Sequence, residues 1–187
     1  KAIYYQLWAR ILVAYGKAID DPSVPMAIQL REAIDAFRSS GAGLRLPYYL
    51  SLLARVWQAA GHVDDAAATL DEALATAAQN NEHWWDAELH RLRGNLLAQE
   101  AMGCGECGQL TAENHYLLAM QLAGQQQALS LQLRAALGLA VLWLHSGQAG
   151  KVPSLLQPIY EQFVEGHATA DMIHAQQLLA QVAALHA

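Results

Sequence analysis

A chain of 187 residues, 54% of them hydrophobic, is long enough to bury a continuous core and suits one or two domains of ordinary size. With 11 Lys and Arg against 17 Asp and Glu, the net charge of −6 argues against a nucleic-acid or anionic-membrane surface as the main function. Two cysteines make no disulfide framework, no signal-peptide plan opens the chain and no apolar run reaches the ~18 residues of a spanning helix, so a cytoplasmic location is expected.

Strand signals are almost absent, because Ala, Leu and Gln dominate segment after segment, and the chain reads as all-α. A first helical hairpin is expected over 2–38. Its small and bulky positions are Ala9, Leu12, Gly16, Met26, Leu30 and Ala33, with extra residues in the turn that holds Pro22 and Pro25. After the linker SSGAGLRLP comes a second hairpin, 47–80. Tyr49, Leu50, Leu53, Ala54 and Trp57 recur at helical spacing, and Gly61 stops that helix. Val63, Ala66, Leu70, Ala73 and Leu74 mark its partner, with Asp64, Asp65, Asp71 and Glu72 on the wetter side.

Past NNEH, a third hairpin is expected over 84–124, where Gly94, Leu97, Ala112, Tyr116 and Ala119 fit the pattern around an inserted stretch holding both cysteines. A fourth spans 131–165 after GQQQALS. Its Ala140, Trp143, Gly147, Val152, Leu156 and Ile159 repeat the steps of three, four, five, four and three that separate Ala54, Trp57, Gly61, Ala66, Leu70 and Ala73. A terminal helix over 168–186 would cap the stack, since end repeats need a polar outer face. The packing logic is that a small residue lets two helix backbones approach while the aromatic fills the space beside it.

Chemical motifs are sparse. GCGECG at 103–108 has the letters of a dinucleotide fingerprint without the strand and βαβ setting it needs, and reads as a flexible loop. GQAGKV around Lys151 lacks the spacing and the Ser or Thr of a phosphate loop. Cys104, Cys107 and His115 are three zinc-ligand types close in sequence, but a closed structural site takes four and no fourth is evident, so neither metal nor cofactor is expected. No HExxH and no nucleophile elbow accompany the eight histidines, so the chain reads as non-enzymatic. Asp64, Asp65, Asp71 and Glu72 read as a solvated face, and Trp84 and Trp85 as core and helix-start anchors.

The hairpins resemble tetratricopeptide repeats, whose signature is a small residue, an aromatic, a turn glycine, then Ala, a bulky residue and Ala. They recur every 40 to 46 residues, against about 34 in the standard repeat, so the turns or helices must be longer. The strings LPYYLSLLARVWQAAG, HWWDAELHRLRGNLL, LQLRAALGLAVLW and LLQPIYEQFVEGHATADMIHAQQLL also look like the C-terminal repeat region of large bacterial regulators. In those, an adenylate-cyclase-like or winged-helix domain and a P-loop ATPase come first. The chain opens on Lys1 instead of Met, as a segment of a longer protein would.

The resemblance implies a right-handed α-solenoid of four hairpins with a capping helix, forming one superhelical domain over 1–187. The first helix of each hairpin would line a concave groove, placing Gln6, Arg10, Arg55, Gln58, Arg91 and Asn95 on one surface. Such donors can hold a carboxylate or the amides of an extended peptide. A wet helix face would carry the same residues without any partner. The expected function is a protein-interaction or scaffold module, with a protein or peptide partner or another domain of the same protein, and with self-association open. The alternatives are a small-molecule sensor with a pocket inside the superhelix, and a metal- or thiol-dependent enzyme centred on Cys104, Cys107 and His115.

Overall fold

The computed structural model describes the backbone of residues 2–104 and 106–185 and the side chains of 3–100 and 110–185. Among the described residues nine α-helices follow one another with no strand. They are α1 (Ala2–Asp20), α2 (Val24–Ser39), α3 (Leu46–Ala59), α4 (Val63–Asn80), α5 (Asp86–Cys104), α6 (Glu106–Gln125), α7 (Leu129–His145), α8 (Val152–Tyr160) and α9 (Ala170–Leu185). No described helix is long and apolar enough to cross a membrane.

The repeated Trp-to-Gly spacing has a local cause. Gly61 and Gly147 take φ of +82° and +74° just past the ends of α3 and α7. The following amide of His62 donates to the Trp57 carbonyl at 2.9 Å, and that of Gln148 to the Trp143 carbonyl at 2.7 Å. Gly61 and Gly147 themselves donate back to Gln58 and Leu144. This pair of bonds satisfies two orphan carbonyls at each helix end, and the left-handed residue between them favours glycine. Asn81 and Gln127 close α4 and α6 in the same way without a glycine, at φ of 52° and 55°.

The chain divides into two compact units, Lys1–Leu92 and Arg93–Ala187. In the first, α1 packs on α2, α2 on α3 and α3 on α4, and α1 also meets α3. Ile11, Leu30, Ile34, Phe37, Leu50, Leu53 and Leu70 are fully buried, each contributing about 1.5–3 kcal/mol over an exposed side chain. Phe37 of α2 stands between Tyr4 of α1 and Tyr49 of α3, with ring centroids 5.3 and 5.5 Å away. Ala54 on α3 and Ala66 and Ala73 on α4 are buried, and the two helices pack on one another.

The first hairpin corrects the sequence reading. Ala9, Leu12 and Gly16 are exposed, and α1 buries Ile11, Ala14 and Ala18 instead. A lone glycine costs a helix only about 1 kcal/mol, so α1 continues past Gly16 to Asp20. The turn comes at Asp21 to Ser23, where Pro25 fits the first turn of α2 because its missing N–H has no partner to lose there.

In the second unit α6, α7, α8 and α9 pack successively, and α7 also touches α9. Ala112, Tyr116, Leu133, Ala136, Ala140, Trp143, Val152, Leu156, Met172 and Val182 belong to one buried cluster. The inserted stretch is the second correction. Helix α5 runs to Cys104 and α6 begins at Glu106, so the insertion lengthens two helices where a loop was expected. Glu, Ala, Met and Gln in and around it are strong helix formers that offset its glycines.

Candidate functional site

Five of the six expected groove residues belong to the first unit. Gln6 and Arg10 on α1 and Arg55 on α3 are exposed, Gln58 is half-buried, and α1 and α3 pack on one another. Neither Arg10 nor Arg55 has a hydrogen bond or ion pair among the described residues. Arg91 differs. Its Nε and one terminal nitrogen each donate to Glu88 at 2.8 Å, and Glu88 is almost wholly buried. A guanidinium already forked onto a desolvated carboxylate is committed to holding α5, since removing either partner would strand the other charge. Asn95 lies in the second unit, where its Oδ1 accepts the Tyr116 hydroxyl at 2.8 Å. The exposed donors therefore narrow to Gln6, Arg10 and Arg55.

The acidic cluster also splits. Asp64, Asp65 and Asp71 are exposed, as a solvated face would be, but Glu72 is bridged to Arg31 and Arg38 of α2, 2.7 Å from each. Burial by itself would raise the Glu72 pKa, yet the two guanidinium hydrogen bonds and their charges outweigh it and hold the carboxyl below its usual range. His90 is half-buried, and desolvation moves its pKa down despite Asp86 nearby, so it is neutral at pH 7.

A feature the sequence reading did not place is a cleft of about 550 Å³ where the α2–α3 and α4–α5 connections meet. The Arg45 amide donates to Glu82 Oε1 at 2.7 Å, and Asn80 Nδ2 reaches the Gly43 carbonyl at 3.4 Å, tying one connection to the other. Trp84 and Trp85 precede α5 and are not on a helix, which frees their rings to lie 5.0 Å apart. Tyr48 of α3 contacts both. Trp85 is anchored by a 3.0 Å bond from Nε1 to the buried Ser51 hydroxyl, whereas Trp84 stays 43% exposed. The paired residues lie 34 to 37 positions apart in the chain, and the closing of α3 on α4 brings them together.

Among the described residues no group of three or more His, Cys, Asp and Glu could hold a metal. His115 is half-buried on α6, and the side chains of Cys104 and Cys107 lie outside the described residues. In comparisons with known proteins, no family model and no curated protein matches the chain. Its fold is similar to the crystal structure of BtubC (BKLC) from P. vanneervenii, with a TM-score of 0.54 and 16% identity over 99% of this chain and 90% of that one.

Proposed function

We propose that the chain is a tetratricopeptide-like α-solenoid that acts without catalysis, as a cytoplasmic protein-interaction module serving a larger bacterial regulator. The observation that carries this reading is the pair of exposed cations Arg10 and Arg55 on adjacent helices α1 and α3, with Gln6 and Gln58 on the same helices. On a chain of net charge −6, two arginines without an internal acid are suited to an acidic segment or a C-terminal carboxylate. A guanidinium that becomes desolvated on a carboxylate contributes about 1.5–3 kcal/mol.

The test is fluorescence anisotropy with a labelled peptide that alternates Glu with aliphatic residues and ends in a free carboxylate. Binding should weaken with salt and fall by at least about tenfold in Arg10→Ala/Arg55→Ala. Replacing Asp64, Asp65 and Asp71 by Ser should leave it intact. Retention by the double arginine variant would remove the α1–α3 surface as the site.

A further inference from the structure

We infer that the cleft between the α2–α3 and α4–α5 connections binds a guanidinium group, stacked on Trp84 and paired with Glu82. This goes beyond the acidic-segment reading and stands on other residues. Three observations converge on it. The first is the exposed indole of Trp84, whose position is fixed from several sides. Its Nε1 donates to Glu82 Oε1 at 2.8 Å, and Tyr48 and Trp85 support it with ring centroids 6.0 and 5.0 Å away. An aromatic face held in place before a ligand arrives loses little entropy on binding.

The second is the carboxylate. Glu82 Oε1 takes both the Arg45 amide and the Trp84 indole, while Oε2 accepts no hydrogen bond among the described residues. Two donors orient the group and leave one oxygen for an incoming N–H. The third is an apolar lining residue. Leu44 lines the cleft at 60% exposure, an apolar surface for the methylenes of an arginine side chain.

The charge and shape decide among ligands. An anion would meet Glu82, and a neutral apolar group would cover Oε2 without pairing it. A guanidinium satisfies the carboxylate, lies flat on the indole and uses the ring's negative face. An ammonium would pair equally well but would stack less well.

The experiment follows the indole N–H resonance of Trp84 by two-dimensional NMR, assigned by its disappearance in Trp84→Phe. N-acetylarginine amide should shift it saturably, and N-acetylcitrulline amide, the neutral isostere, should bind about tenfold more weakly or not at all. Glu82→Gln keeps an Oε1 to accept both internal bonds and removes the charge, and it should lose the arginine response to a similar extent. An arginine flanked by glycines that binds more tightly than the single blocked residue would identify a peptide as the source, and equal affinity a free guanidinium compound. Equal shifts by the citrulline and arginine probes on the wild-type protein, or an undiminished response in Glu82→Gln, would overturn the assignment.

Discussion

The ring of Tyr116 on α6 occupies the space where a side chain at Gly138 on α7 would begin. It also presses on α5, where a Cβ at Gly94 would stand 2.9 Å from Tyr116 Cε1, and the approach at Gly138 is closer still. The Tyr116 hydroxyl then bonds to Asn95. One aromatic side chain thus sets the separation of three helices in the second unit.

Gly138→Ala should therefore destabilise by about 1–3 kcal/mol, because the ring is held by its own hydrogen bond and by packing. At about 2–4 °C per kcal/mol the loss is readable by thermal denaturation. Tyr116→Ala is costly alone, but adding Gly138→Ala to it should cost little more, and that non-additivity is the signature of the contact.

The packing of α1 makes a second prediction. Ala14→Leu, Ala54→Trp and Ala140→Trp each overfill a buried position and should lower stability by about 1–3 kcal/mol. Ala9→Leu, on the exposed side of the same helix as Ala14, should change it by no more than about 0.5 kcal/mol. Denaturant midpoints for Ala14→Leu and Ala9→Leu distinguish the observed register of α1 from the one its small residues suggest, and those for Ala54→Trp and Ala140→Trp check the packing of α3 and α7.

Two groups set opposite pH limits. The lowered pKa of Glu72 means that its bridge to Arg31 and Arg38 stabilises the fold above the ordinary carboxyl value of 4.5, a contribution lost as pH falls through the lower folded value. Tyr49 is 1% exposed, and burial chiefly, with Tyr4 adding to it, pushes its pKa up from 10.0 to about 12. Its neutral form favours folding fully below pH 10, and that advantage is lost between 10 and about 12 as the unfolded phenol ionises. Glu72→Gln should flatten the acid limb of a stability–pH curve and Tyr49→Phe the alkaline limb. Because the Tyr49 hydroxyl is buried without a hydrogen-bond partner among the described residues, Tyr49→Phe should be neutral or stabilising at pH 7.

Helix spans were legible in the sequence where a turn glycine followed the aromatic. Trp57 with Gly61 and Trp143 with Gly147 write a local hydrogen-bond pattern, so spacing alone locates the turn and the facing positions. Gly16 has the same letter without that geometry, so it marks no turn and α1 runs through it. Arg91 and Glu72 looked solvent-facing because helical periodicity says nothing of a charged partner. Glu88 is one turn from Arg91, and Arg31 is 41 residues from Glu72. The Trp84 cleft was illegible for a related reason, since Arg45 and Glu82 stand at the two ends of the α3–α4 hairpin and meet only once it has closed.

The polar links that join these elements have a kinetic meaning. Arg31 to Glu72 spans 41 residues, Arg45 to Glu82 and Arg134 to Asp171 span 37, and Asn95 to Tyr116 spans 21. None closes over more than about the length of one hairpin, and because closure entropy grows only with the logarithm of loop length the costs differ little. Within each unit, folding rates are then governed by contacts close in sequence and not by a search for distant ones.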